Sequence, residues 1–400
     1  MRKPSNMGGS LRHSLKWDMM IKLDKNTEYL ISKLVSAGFS AHAVGGAVRD
    51  SLLGREVSDF DIASSALPEE TKKVFSSQSV IETGIKHGTV TVVLDHKPYE
   101  ITTYRVESQY SDSRHPDSVS FVRCLNEDLA RRDFTVNALA FSPQDGLIDL
   151  FGGAEDIKNR IIRAVGDPAK RFSEDALRIL RAIRFASVLG FSIEENTSNA
   201  LLALSETLSS VSPERILTEL KKTLCGENAQ AVVNNYLPVL EQVLTVSGSP
   251  KSLSLLPPDF AMRLTCLCGK GVIESLSRLR ADNETRRICK LLVESKPIPS
   301  TLPALKQYIS SLGKENSLLV ASYRRALFGE DNEKQTEKLL SSGECLFLKD
   351  LAVKGFDLIS FGIKGKDIGK VLNALLNSVL LGEVENEKEK LIELVKNAVL

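Results

Sequence analysis

A chain of 400 residues exceeds what one compact core ordinarily holds, so several domains, or a small domain with a long extension, are expected. With 42% apolar and 26% charged residues it has an ordinary soluble composition, and no run reaches the roughly 18 uninterrupted apolar residues of a membrane span. The 52 basic and 51 acidic residues leave a net charge of +1, so nucleic-acid binding would have to come from local clusters of Lys and Arg.

Residues 1–20 read as a disordered leader: from Met1 to Trp17, Arg2, Lys3, Arg12 and Lys16 stand without an acid, and neither an apolar face nor a cleavage pattern accompanies them. Ser40 to Val44 predicts a short strand ending in Gly45-Gly46, and Ala47 to Leu53 a helix begun by those glycines. Two glycines at such a turn let the backbone come close to a ligand. The N–H groups beyond them favour a phosphate, and Arg49 adds a charge-assisted donor one turn into the helix. Phe60 to Ala63 is apolar around acidic positions. In a strand, Asp59 and Asp61 share one face with Cα atoms roughly 6.5–7 Å apart, while Phe60 and Ile62 point into the core. Two carboxylates so placed can bridge divalent ions about 3.5–4 Å apart, the arrangement used for in-line phosphoryl displacement.

Thr89 to Leu94 and Tyr99 to Tyr104, joined by the polar Asp95-His96-Lys97-Pro98, predict a β-hairpin. Glu100 alternates with Thr102 on the second strand and could bring a third carboxylate onto the face of the aspartates. Repulsion among three acids calls for a cation, and Mg²⁺ suits oxygen ligands and phosphate substrates. Val119 to Val122 is a further strand. The block Arg131-Arg132-Asp133-Phe134-Thr135-Val136-Asn137-Ala138 then places two arginines and an acid at the start of a predicted helix.

After Gly152-Gly153 the pattern becomes helical throughout, in stretches of about 10 to 18 residues separated by Gly, Ser and Pro breaks. From Glu174 to Phe185 the spacing puts Asp175, Arg178, Arg181 and Arg184 three apart, which on a helix predicts an Asp175–Arg178 acceptor-and-donor pair with Arg181 next along the ridge. Apolar residues surround this helix, so its arginines need an internal partner, either a ligand or an ion-pair network. Six scattered cysteines do not make a disulfide framework and are most simply reduced, in a cytosol. The expected class is α+β: a small head with a mixed β-sheet and helices, followed by an elongated all-helical neck, body and tail. The boundaries read as head 21–150, neck 151–224, body 225–297 and tail 298–400.

Five blocks in order, G-G-x-V-R-D from Gly45, D-x-D from Asp59, R-R-D-F-T-x-N-A from Arg131, E-D-x-x-R-x-x-R-x-x-R-F from Glu174 and Ser212-Pro213-Glu214-Arg215-Ile216, resemble the class II tRNA nucleotidyltransferases. These are the bacterial and eukaryotic CCA-adding enzymes, with the related bacterial poly(A) polymerases, and the likeness runs from about Ala41 to Leu224. It implies a nucleotidyltransferase head that adds CCA to the tRNA 3′ end from CTP and ATP without a template. In the family Asp59 and Asp61 match the holders of two catalytic metal ions, taken here as Mg²⁺. Gly45, Gly46 and Arg49 match the triphosphate turn, and Arg132 a nucleotide contact. Asp175 and Arg178 match the pair that reads the base edge, with Arg181 and Arg184 as further nucleotide-binding arginines. The chemistry agrees: a carboxylate accepts from the exocyclic amine that cytosine and adenine share, and a guanidinium donates to a ring nitrogen or carbonyl. The full-length segment Ser108 to Asp117 favours complete CCA addition over CC-only relatives. A poly(A) polymerase on the same head and a CC-only or A-only adder stay open as alternatives. A dinucleotide oxidoreductase lacks the third glycine of its fingerprint. The tail is expected to face tRNA, although lysines interleaved with acids, as here, more often simply solvate a helix.

Overall fold

The computed structural model describes Trp17 and residues 19–82, 84–107 and 119–399, and the chain divides into two compact units, Met1–Thr245 with Ser277–Ala281, and Val246–Leu276 with Asp282–Leu400. The expected leader and the segment Ser108 to Asp117 lie outside the described residues, apart from Trp17, Met19 and Met20.

In the first unit helix α1 (Lys25–Ser36) begins at Asp24, whose carboxylate accepts the Asn26 and Thr27 N–H groups. Then come β1 (Ala41–Val44), α2 (Gly46–Leu52), β2 (Ile62–Ser64), α3 (Pro68–Val74), β3 (Ser79–Ile81), β4 (Thr89–Leu94) and β5 (Lys97–Thr103). A ribbon of β6 (Arg105–Glu107) and β7 (Val119–Phe121) leads to α4 (Leu125–Ala130), β8 (Leu139–Ser142) and β9 (Gly146–Asp149). The main sheet runs β3-β4-β5-β2-β1-β8-β9. Only β2 and β5 pair parallel in it, so the sheet is mixed, as expected. Strands β1 and β2 are buried along their whole length, which is why they read as short apolar runs, whereas β5 alternates, with Tyr99, Ile101 and Thr103 buried and Glu100 exposed. The predicted hairpin is β4–β5. Its turn is the two residues Asp95 and His96, both left-handed (φ 49° and 62°), the backbone that matches strand twist in a tight hairpin.

Beyond the head run α5 (Gly153–Asn159), β10 (Ile161–Ile162), α6 (Pro168–Glu174), α7 (Leu177–Leu189), β11 (Ser192–Ile193), α8 (Glu195–Ala203), α9 (Pro213–Leu224) and α10 (Ala229–Glu241). Phe134 meets Phe185 of α7 edge-on, ring centroids 5.7 Å apart, and both are buried. Fully burying a side chain of this size contributes about 1.5–3 kcal/mol, so this contact fixes α7 against the R-R-D block. The second unit is helical, with its own apolar core that includes Leu305, Ile309, Val353, Leu375 and Leu391.

Three local expectations are corrected. The D-x-D sequence does not lie in a strand: Asp59 to Asp61 is an extended approach to β2, tied to β1 where the Val44 N–H donates to the Asp61 carbonyl (3.0 Å). Its alternation does hold, with Phe60 and Ile62 buried and both aspartates exposed. The R-R-D block follows a helix instead of starting one. Helix α4 ends at Ala130, and Phe134 is extended before a single 3₁₀ turn, Thr135–Asn137. Asp175 is not on the helix of Arg178. It is extended (φ −143°, ψ 103°) between α6 and α7, and its Oδ1 accepts the Leu177 N–H (3.1 Å). An aspartate just ahead of a helix ends the preceding one by offering this alternative acceptor.

Candidate active site

Parallel pairing of β2 with β5 sets Ile62 opposite Ile101, so Asp61, just ahead of β2, and Glu100 on β5, each one residue earlier, stand at the same level. Both line a cavity of about 200 Å³ with Thr102, Arg105, Asp128 and Arg132. Although Asp61 keeps an exposed edge, the protein packed around its carboxyl partly desolvates it and pushes it up from its ordinary range. The Arg132 charge opposes this, and the negative charge of Asp59 adds to it. Among the described residues no three His, Cys, Asp or Glu are gathered closely enough to hold an ion, so Glu100 does not complete a preformed cage with the two aspartates. The pair itself offers oxygen donors only, with mutual repulsion that a hard divalent cation would relieve, and its chemistry therefore fits Mg²⁺.

The glycine turn makes room for an arginine from elsewhere in the chain. Gly45 has φ 74° and ψ −129°, a backbone open essentially to glycine alone, and a Cβ there would stand 2.8 Å from Arg132 Nη1. Arg132 donates from Nη2 to Asp128 (3.2 Å) and from Nη1 to the Asn137 carbonyl (3.2 Å), while its Nε is buried with no hydrogen-bond partner. Asp128, 2% exposed, also takes Arg131 at 2.8 Å. Burial alone would raise its carboxyl, but the two guanidinium charges hold it below the usual carboxylate range. Arg49 turns inward: Nε and Nη2 donate to Asp50 (2.9 and 2.8 Å), Nη1 donates to Asn137 Oδ1 (2.6 Å), and the guanidinium lies 5.2 Å from the Phe185 ring. Gly46 stands against that guanidinium, 3.5 Å from where its Cβ would be.

The arginines of α7 each have an acid, and not the acid the spacing suggested. Arg178 Nη1 pairs with Glu174 (2.7 Å), and its Nη1 and Nη2 also donate to the Arg171 and Arg131 carbonyls. Arg181 reaches back to Asp133 (2.8 and 2.5 Å). Burial would raise the Asp133 carboxyl, but the Arg181 charge and the Asn137 amide bring it down to about 2. Arg184 pairs with Glu219 (2.5 Å) and covers the Phe185 ring at 3.8 Å. Asp175 takes Arg215 Nη2 on Oδ2 (2.8 Å). Sequence reading missed Asp128, Glu174, Arg215 and Glu219 as members of this constellation. Arg215 and Glu219 are four apart on α9, one helical face turned to α7, a spacing visible in the sequence; their partners, 35 and 40 residues away, are not.

Residues 41–163 match the family "Poly A polymerase head domain", and 190–236 match "Probable RNA and SrmB- binding site of polymerase A". Residues 264–395 match tRNA nucleotidyltransferase domain 2. The CCA-adding enzyme of Geobacillus stearothermophilus is 40% identical over 382 residues, which is 90% of this chain and 94% of the relative. The chain belongs to the CCA-adding enzyme family. The CCA-adding enzyme of Streptococcus suis is 37% identical over 384 residues, 92% of this chain and 95% of that one. The crystal structure of the Bacillus stearothermophilus CCA-adding enzyme in complex with CTP superposes with a TM-score of 0.78 at 34% identity, covering 94% of this chain and 99% of that one. Likeness over nearly the whole length of both chains sets aside the poly(A) polymerase and oxidoreductase readings.

Proposed function

We propose that this chain adds C, C and A in turn to the 3′ end of tRNA, drawing on CTP and ATP without a nucleic-acid template. The carrying observation is the 40% identity to a CCA-adding enzyme across both compact units. In the reaction the terminal 3′-hydroxyl attacks the α-phosphate of the bound nucleotide, an oxygen–phosphorus bond forms, and pyrophosphate leaves with the electrons of the broken bond.

Asp59 and Asp61 would hold Mg²⁺, which when bound supplies charge neutralisation at the reacting phosphate and a lower pKa for the attacking hydroxyl. Glu100, level with Asp61 on the adjoining strand, orients the hydroxyl that attacks. Gly45 and Gly46 keep the turn low enough for the triphosphate to approach, and the unpartnered Arg132 Nε, with Arg49 behind it, favours its charge. Asp175 and Arg178 read the edge shared by cytosine and adenine. Arg181 and Arg184 continue that ridge; each is ion-paired in this structure, so a nucleotide contact from either involves exchange of that partner. The second unit supplies surface for the body of the tRNA, and the cytoplasm is the proposed location. Among the described residues no helix is long and apolar enough to cross a membrane.

Primer extension with Asp59→Ala and Asp61→Ala in Mg²⁺ tests this assignment. Each lowers kcat by at least about a thousandfold, on the scale of lost electrostatic stabilisation, with tRNA affinity unchanged. Wild-type incorporation by either variant contradicts it.

A further inference from the structure

The second unit has a cavity of its own, about 410 Å³, within the size range of small-ligand sites. One wall is the stretch Ser247 to Ser249, fastened to the helix Phe260–Cys268. The Gly248 N–H donates to the Leu267 carbonyl (3.1 Å), the Ser249 N–H to the Cys266 carbonyl (2.7 Å) and the Ser247 hydroxyl to the Cys268 carbonyl (2.5 Å). A Cβ on Gly248 would lie 2.1 Å from the Cys266 carbonyl oxygen, so this crossing of two backbones requires glycine. The helix Lys314–Phe328 adds Tyr323, Arg324 and Phe328 to the lining. Walls held by their own hydrogen bonds need little ordering when a ligand enters.

Phe328 is 60% exposed, and the Arg324 guanidinium lies over its ring, 4.6 Å from the centroid. That guanidinium is satisfied by Glu330 (2.8 and 2.5 Å) and by the Ser295 carbonyl (2.8 Å), so it backs the ring without adding net charge. Two buried hydroxyls also belong to the lining. Tyr323, 5% exposed, makes no hydrogen bond from its hydroxyl among the described residues, and Thr265, 1% exposed, has only the Cys289 thiol, a weak donor, beside its own. Buried polar groups left this way are costly unless a further partner arrives. Lys270 is exposed and has no ion pair among the described residues. An aromatic platform beside hydroxyls that both donate and accept suits a nucleobase, whose face stacks and whose edge carries donors and acceptors. One unpaired lysine matches a single backbone phosphate, whereas a free triphosphate would call for more positive charge.

We propose that this cavity captures one unstacked nucleotide of the RNA substrate, its base against Phe328 and hydrogen-bonded to Tyr323, its phosphate beside Lys270. The proposal deepens the reading that the second unit carries the body of the tRNA, and rests on it. Phe328→Ala removes an exposed ring, and Tyr323→Phe removes one hydroxyl at constant shape, so neither is expected to disturb folding. The full chain is titrated with tRNA lacking CCA at 50 and 200 mM salt, for wild type, both variants and Lys270→Ala, with KM for CTP and thermal unfolding measured alongside. Wild type is also irradiated with transcripts carrying 4-thiouridine or 6-thioguanosine, and the crosslinked peptides are mapped. Phe328→Ala raises Kd for tRNA at least about tenfold and Tyr323→Phe about threefold, each by the same factor at both salt concentrations, because stacking and a neutral hydrogen bond release no counterions. Lys270→Ala instead lowers the slope of log Kd against log salt by about one, and KM for CTP stays unchanged throughout. An unchanged Kd in Phe328→Ala and Tyr323→Phe, with crosslinks elsewhere in the second unit, overturns capture at this cavity and leaves the tRNA surface standing. Absence of crosslinks from the whole second unit overturns the tRNA-surface reading and the proposal with it. Weaker binding of tRNA and CTP together, with a lowered melting temperature, assigns these side chains to support of the fold and overturns the proposal.

Discussion

Asp133 carries more than its position in the R-R-D block suggests. It accepts from Arg181, from the Asn137 side chain and from its neighbour's N–H, and so links the turn after α4 to the middle of α7. Asp133→Asn leaves Arg181 without its counter-charge, and a loss of about 3 kcal/mol in chemical denaturation is expected. Because the folded carboxyl titrates at about 2, below its unfolded value, Asp133 stabilises the fold fully above about pH 4. That contribution, on the order of 2 kcal/mol, fades as pH falls from about 4 toward 2, and urea midpoints across this range read it directly; Asp133→Asn flattens the acid limb. Gly45 tests the turn that packs against Arg132. Gly45→Ala forces a positive φ on alanine and pushes its Cβ toward Arg132. The strain of about 1–3 kcal/mol lowers the melting temperature by only a few degrees, whereas kcat/KM for CTP falls at least about tenfold as Arg132 is displaced. Many residues of the candidate site were readable in the sequence, glycines, aspartates and arginines among them, though not Asp128 or Glu219. Their pairings were not, because Asp133–Arg181 and Asp175–Arg215 join groups 48 and 40 residues apart that only tertiary packing brings together.

Among the elements, the hairpin β4–β5 followed its β-branched and aromatic runs, helix α2 the glycines that begin it, and the long helices the apolar spacing that predicted them. The errors fell at element ends. Asp175 leaves the helix because its side chain finds the Leu177 N–H and Arg215, and the R-R-D block leaves α4 because Arg131 and Arg132 turn back on Asp128. A tertiary partner decided each break, and local propensity does not encode it. The junction of α5 with the Thr135–Asn137 turn offers a test at this scale. A Cβ on Gly153 would lie 2.2 Å from the Thr135 carbonyl oxygen, backbone against backbone. Gly153→Ala must shift one element against the other, and a loss of about 1–3 kcal/mol by urea denaturation, with slower nucleotide addition, is the expected outcome.

For the whole molecule the composition was silent on RNA, since a net charge of +1 conceals where the basic residues cluster. Beyond about residue 225 no motif stood out, yet residues 264–395 match a tRNA nucleotidyltransferase domain. If the proposed tRNA surface works through phosphate contacts, affinity for tRNA falls at least about tenfold between 50 and 200 mM monovalent salt, measured by filter binding, while a variant with an intact surface and Asp61→Ala follows the same slope. The central claim is the product itself. Purified protein with Mg²⁺ is given tRNA transcripts ending before CCA, after C and after CC, with CTP and ATP supplied separately and together, and products are read at single-nucleotide resolution. Addition of C, C and A followed by a stop, each transcript entering at its own stage, is the predicted result. Long A tails, or a halt after CC with ATP present, would contradict it.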